Sequence, residues 1–203
     1  MKHIFKEATE ENLPTLVLLH GTGGNEEDLL PLADIIAPKA AVLGIRGNVL
    51  ENGMPRFFRR LSEGVFDEED LIFRTKELNE FLDEAAENYH FNRENLVAIG
   101  YSNGANIAAS LLYHYQSSLK GAALFHAMVP RRDVEIPSAN EVPIFIGAGK
   151  LDPLIPAKET KELIDDLNRA GANVTEYWGE GGHQLTRDEV IDAKRWFEEN
   201  FIK

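Results

Sequence analysis

Residues 95–107 read Asn95-Leu96-Val97-Ala98-Ile99-Gly100-Tyr101-Ser102-Asn103-Gly104-Ala105-Asn106-Ile107. An apolar run, a glycine-flanked serine and an alanine-rich stretch, in that order, predict a strand, a tight turn and a helix. Gly100-Tyr101-Ser102-Asn103-Gly104 fits G-x-S-x-G, where the glycines let strand and helix backbones approach and the serine sits at the tip of a strained turn. A helix starting beside Ser102 turns unpaired N–H groups and a partial positive charge toward the place where an oxyanion would form. A pattern with three fixed positions also occurs in ordinary loops. The strand before it and the helix after it make Ser102 a candidate acyl-transfer nucleophile.

Outward from that elbow, strands alternate with helices. Residues 3–8 predict a short strand and residues 13–20 a buried one, with the turn at Glu10-Glu11-Asn12 joining them as a hairpin. Gly21-Thr22-Gly23-Gly24 follows, then a helical pattern whose regular part begins near Pro31. Residues 40–45 are a further apolar strand, and residues 46–66 an irregular loop broken by Gly47, Gly53, Pro55 and Gly64. A long helix follows from Asp67, its cap, to Tyr89, with an apolar stripe through Leu71, Leu78, Leu82, Ala85 and Tyr89.

Beyond the elbow helix, strands are expected at 119–128, 142–148 and 174–178. One helix is closed by Gly171 and the last is opened by a Thr186–Glu189 capping box. The alternation predicts one domain over residues 1–203, a mostly parallel central sheet with helices on both faces. Ligands of such sheets bind beyond the carboxyl ends of the strands, where the candidate residues fall.

The 203-residue chain has no cysteine, which excludes a disulfide frame, a thiol nucleophile and a cysteine-held zinc. A formal charge of −13 argues against nucleic acid as a partner, because phosphate binding draws on lysine and arginine. The N-terminus lacks the apolar core of a signal peptide and no run approaches a membrane span, so a cytoplasmic location is expected. Arg46, Arg56, Arg59 and Arg60 form a basic island. They fit either a solvated loop paired with Asp67-Glu68-Glu69-Asp70 or a docking point for an anionic substrate.

A serine at neutral pH needs a base to take its proton, and histidine is the usual one. His183, in Trp178-Gly179-Glu180-Gly181-Gly182-His183, follows the last strand on a glycine loop free to reach a neighbouring strand end. His20 and His126 also lie at strand ends, but held close to the sheet. Asp152, just past the strand at 144–146, is the candidate acid that would orient the base, with Asp133 behind it. The order Ser102, Asp152, His183 is that of hydrolases built on this kind of sheet. The oxyanion hole is expected from the backbone N–H groups of Asn103 and Thr22, the latter in His20-Gly21-Thr22-Gly23-Gly24. Read instead as a phosphate-cradling loop, Gly21-Thr22-Gly23-Gly24 lacks the full G-x-G-x-x-G spacing and a P-loop lysine.

The chain resembles the phospholipase/carboxylesterase branch of the α/β-hydrolases, which includes acyl-protein thioesterases. Arg46-Gly47-Asn48-Val49-Leu50-Glu51-Asn52-Gly53-Met54-Pro55-Arg56-Phe57-Phe58-Arg59-Arg60 and Gly100-Tyr101-Ser102-Asn103-Gly104-Ala105-Asn106-Ile107-Ala108 are similar to bacterial hydrolases linked to the quinone stress response. The resemblance implies an α/β-hydrolase fold, Ser102, Asp152 and His183 as a triad, and no cofactor. Asn103 stands where acyl-protein thioesterases usually carry glutamine, and Thr22 where they carry leucine; both positions act through backbone N–H.

About a dozen residues separate Met128 from the next strand, too few for a large lid domain, so an open site suited to small soluble esters is expected. Met54, Phe57 and Phe58 either form an apolar acyl pocket or pin the long loop to the core, and Ile155 would line the same wall. These readings converge on a serine carboxylesterase acting on a small-molecule ester through an acyl-enzyme. Thioesterase or lysophospholipase chemistry by the same mechanism, or a non-hydrolysing receptor or carrier on the same fold, are the alternatives. Nothing in the sequence decides between a monomer and a homodimer.

Overall fold

The computed structural model describes residues 1–202. In chain order the elements are β1 (His3–Lys6), β2 (Thr15–Leu19), α1 (Leu30–Ile36), β3 (Val42–Ile45), β4 (Val49–Glu51), β5 (Met54–Arg56), β6 (Arg60–Ser62) and β7 (Val65–Phe66). They continue with α2 (Glu68–Tyr89), β8 (Leu96–Tyr101), α3 (Asn103–His114), β9 (Gly121–Phe125), β10 (Pro143–Gly149), α4 (Ala157–Arg169), β11 (Asn173–Gly179) and α5 (Arg187–Phe201).

Seven strands form one sheet in the order β1-β3-β2-β8-β9-β10-β11, parallel throughout except for β1. The strands are apolar along their whole length because both faces are covered. Along β2 the side chains alternate: Val17 and Leu19 join the core under α2, α3 and α4, while Leu16 and Leu18 join the core under α1 and α5. All four are essentially inaccessible, each worth about 2 kcal/mol of apolar burial. One strand therefore anchors both layers. From β2 the chain steps outward to β3, then returns to place β8 on the other side of β2. That reversal opens a crevice at the carboxyl ends of β2 and β8, the place where such sheets bind ligands.

Local signals act as expected at the helix ends. Asp67 caps α2 by accepting from the N–H of Asp70 at 3.1 Å, behind the acidic first turn Glu68-Glu69-Asp70. Thr186 and Glu189 form the capping box of α5.

Two expectations are corrected. Residues 3–6 do not pair with β2 as a hairpin; β1 runs antiparallel to β3, with Ile4 opposite Gly44. The parallel crossover through α1 sets β3 against β2, and β1 takes the edge beyond it. Residues 46–66 are not irregular either, but hold two small hairpins, β4–β5 and β6–β7. The first turns at Asn52-Gly53, both in the left-handed region at φ 51° and 80°, as a tight hairpin turn requires. These hairpins overhang the crevice. No helix or strand lies between β9 and β10, so no large lid is inserted there. Among the described residues no helix is long and apolar enough to cross a membrane.

Candidate active site

Ser102 sits between β8 and α3 with φ 52° and ψ −113°, a conformation held at a cost of about 1–3 kcal/mol by its surroundings. Its N–H donates to the carbonyl oxygen of Phe125 at 2.8 Å and its carbonyl accepts from Asn106 at 2.9 Å. A Cβ on Gly100 would meet the backbone of Ala105 at 2.7 Å, and one on Gly104 would overlap the carbonyl oxygen of Leu19. The motif glycines are therefore a packing requirement of the turn that presents the hydroxyl.

The carboxyl ends of β10 and β11 supply the partners. His183 brings Nε2 to 2.9 Å from the Oγ of Ser102, and its Nδ1 lies 2.7 Å from Oδ2 of Asp152. With Nδ1–H donating to the carboxylate, Nε2 is left as the acceptor that faces the serine hydroxyl. The other oxygen of Asp152, Oδ1, accepts from the N–H groups of Leu154 and Ile155 at 2.8 and 3.0 Å. Burial alone would push this carboxyl up. The hydrogen bonds from His183, the two N–H groups and His126 together hold it below the usual carboxylate range.

On the β2 side, Thr22 follows the strand in an exposed turn, and its N–H makes no hydrogen bond among the described residues. Asn103 is the first residue of α3, where an N–H has no intrahelical partner. His20 shapes this turn. Its Nδ1 lies 2.6 Å from the carbonyl of Gly21, its Nε2 accepts from the N–H of Gly47 at 3.1 Å, and its ring packs on Phe57 at 4.8 Å. That pattern needs a neutral ring, and burial first of all holds its pKa below the ordinary value.

Thr22, Ser102, Asn103, Ile155 and His183 all line one open cleft of about 410 Å³, which Asp152 supports from beneath the strand ends. The expected apolar pocket from Met54, Phe57 and Phe58 does not form. Phe57 and Phe58 are buried in the core, and Met54 is 41 % exposed beside the turn at Gly23. The phenylalanines pin the hairpins, since Phe58 packs edge-on against Phe66 and the N–H of Phe57 donates to Oδ1 of Asn103. Leu154, Met128, Tyr101 and Phe66 supply apolar surface instead. Asp133 is exposed and makes no hydrogen bond to His183.

Sequence reasoning missed three features of the site. Tyr101 donates its hydroxyl to the carbonyl of His183 at 2.7 Å. The side chains of Asn103 and Asn106 accept from Phe57 and Met128, tying both cleft walls to α3. The basic island divides: Arg59 pairs with Asp67 and Asp70, Arg46 with Glu26, and Arg56 and Arg60 with Glu51. Only the Glu51-bound pair of these four reaches the cleft. The Asn52-Gly53 turn was the one signal in the sequence that could have placed it there.

A doubly covered parallel sheet with a serine elbow after a central strand and a histidine loop after its last strand defines an α/β-hydrolase. The model of the Dienelactone hydrolase family matches residues 60–195. The chain belongs to the dienelactone hydrolase family, and it is an enzyme of the hydrolase class. It is 58% identical over 202 residues to a Bacillus subtilis (strain 168) protein named "Putative hydrolase MhqD", covering 100% of both chains. Among solved structures it is similar to the Bacillus cereus carboxylesterase, at 62% identity and TM-score 0.98 over 99% of this chain and 95% of that one. It is also similar to YahD with malic acid, at 32% identity and TM-score 0.92 over 98% of each chain.

Proposed function

We propose that the protein is a serine carboxylesterase of small soluble esters, working through Ser102, His183 and Asp152. The observation that carries this reading is the continuous hydrogen-bonded line from Ser102 Oγ through His183 to Asp152, at 2.9 and 2.7 Å. Ser102 Oγ attacks the ester carbonyl carbon while its proton passes to Nε2 of His183. The N–H groups of Thr22 and Asn103 take the developing oxyanion, each worth about 3 kcal/mol of transition-state stabilisation. The C–O bond to the alcohol breaks as His183 returns the proton to the leaving oxygen. Water, deprotonated by the same nitrogen, then attacks the acyl-enzyme and releases the carboxylic acid and Ser102.

Within that class we favour esters that carry a carboxylate of their own. The Arg56 side chain is 5 % exposed, lines the cleft, and holds the Thr22 hydroxyl through Nη1 at 2.7 Å, with Arg60 beside it. Glu51 lies 3.4 Å from Nη1 of Arg56 and 2.9 Å from Nε of Arg60, a single carboxylate for two guanidinium groups. The neighbour YahD was solved with malic acid, a small dicarboxylic acid. The test is nitrophenol release from nitrophenyl butyrate and from the nitrophenyl half-ester of succinic acid, by the wild type and by Ser102→Ala. Turnover by the wild type, faster on the half-ester and lost in Ser102→Ala, supports the reading. Turnover unchanged in Ser102→Ala refutes the nucleophile, and preference for the neutral ester refutes the anionic substrate.

A further inference from the structure

A second histidine touches Asp152. His126 follows β9 directly with φ 55°, its N–H donating to the carbonyl of Gly147 at 2.8 Å. Its side chain is 2 % exposed. Nδ1 lies 3.0 Å from Oδ2 of Asp152, the same oxygen that accepts from His183. Nε2 lies 3.4 Å from Oε1 of Glu189, an equally buried carboxylate on α5. The rings of His183 and Tyr101 complete its surroundings, with centroids at 5.2 and 5.9 Å. The groups facing His126 are therefore Asp152 from the loop after β10, Glu189 from α5, His183 from the loop after β11 and Tyr101 from β8.

Both ring nitrogens of His126 face carboxylate oxygens. A neutral imidazole has one N–H, so its other nitrogen would set a lone pair against a carboxylate in a dry interior; an imidazolium fits both sides. Burial opposes that charge, but Glu189 and then Asp152 outweigh it and raise the His126 pKa above its ordinary value. The capping box of α5 does not account for Glu189, because it occupies Oε2 and leaves Oε1 without a hydrogen bond of its own. Gly147 makes the room, since a Cβ there would overlap the Glu189 carboxyl.

We propose that Glu189 and His126 are positioning residues for ester hydrolysis: their buried ion pair holds Asp152 from behind and leaves its charge to balance His183. This rests on the triad reading of Ser102, His183 and Asp152. When His183 takes the Ser102 proton, two imidazolium rings stand against two carboxylates. Without Glu189, Asp152 alone faces both cations, and the transition state loses its balance. Without His126, the cation between Asp152 and Glu189 is gone and the negative charge behind His183 is left unbalanced.

The two removals therefore act in opposite directions. Glu189→Gln preserves the capping geometry, since glutamine serves at that position. It is expected to lower kcat roughly tenfold with little change in KM, and to move the acid limb of the kcat/KM profile to lower pH. His126→Asn is expected to move that limb about one unit to higher pH. Nitrogen-15 NMR of the histidine-labelled wild type, which needs no turnover, is expected to show His126 keeping both ring nitrogens protonated to higher pH than an ordinary imidazole. A His126 ring that loses its second proton no later than an ordinary imidazole, or acid limbs unmoved in both variants, overturns the proposal. Absence of wild-type ester turnover would remove the triad reading, and with it the positioning role, while the NMR result would still decide whether the buried ion pair exists.

Discussion

Tyr101 donates its phenolic hydrogen to the backbone carbonyl of His183 at 2.7 Å, so the residue before Ser102 holds the loop that carries His183. The bond joins residues 82 positions apart and fixes a glycine-rich segment, Gly179-Glu180-Gly181-Gly182, that has little rigidity of its own. Burial first, then the nearby charges of Asp152 and Glu189, keep the phenol protonated above its ordinary pKa and hence a donor.

Tyr101→Phe is expected to reduce kcat/KM by about three- to tenfold while lowering stability by about 1 kcal/mol. Ester kinetics and urea denaturation on the same preparation check both. Unchanged kcat/KM would show that the loop holds its place without this bond.

The Asn103 side chain is 2 % exposed and accepts from the N–H of Phe57 at 2.7 Å. Asn103→Ala leaves that buried N–H without a partner and is expected to destabilise the fold by about 1–3 kcal/mol. The backbone N–H at 103 survives the change, so kcat is expected to fall less than the stability loss implies. Urea midpoints and kcat measured below the transition region decide this.

The places of Ser102, Asp152 and His183 in the fold were legible because each lies at a strand end, where a residue pattern and a chain position coincide. Ser102 sits between motif glycines, Asp152 just past β10, and His183 on glycines after β11. Of the residues expected to wall the cleft, Ile155 lines it and Met54, Phe57 and Phe58 do not. Met54, Phe57 and Phe58 are apolar residues near the site, and apolarity alone does not tell a core anchor from a cleft lining. The burial of Phe57 and Phe58 depends on Asn103 and Phe66, which lie far along the chain or in the neighbouring hairpin. The pairing of β1 with β3 was hidden because β1 is adjacent in sequence to β2, and proximity in the chain suggested a hairpin. His126 and Glu189, 63 positions apart by their numbers, meet only because β9, β10 and α5 pack together.

Arg56 is the test of substrate charge. Arg56→Gln is expected to lower the ratio of kcat/KM for the succinic half-ester over that for the butyrate ester by about tenfold, the value of one charge-assisted contact. Because Arg56 also holds Thr22, turnover of both esters is expected to fall, and the ratio carries the information. A ratio equal to the wild-type value would show that the guanidinium serves only the turn.

Acid stability has an identifiable contributor in Glu26, buried near β3 and bound by Arg46 at 2.5 Å and Lys2 at 3.1 Å. Burial pushes its carboxyl up, but its own backbone N–H, Lys2 and Arg46 bring it down to about 2 from an ordinary 4.5. A carboxyl depressed on folding stabilises the protein fully above its unfolded pKa and loses that contribution as pH falls through the folded one. The stability difference between wild type and Glu26→Gln is therefore expected to shrink from about pH 4.5 downward and to vanish near pH 2. Thermal melts of both proteins across that range check it.

The chemistry proposed for the cleft turns on Ser102 as the nucleophile. The most direct measurement is covalent labelling with a fluorophosphonate, which captures an activated serine without needing the natural ester, followed by peptide mass mapping. One modified residue, Ser102, is expected, with no labelling of Ser102→Ala. Labelling at another serine, or a wild type that stays unlabelled while folded, would contradict it.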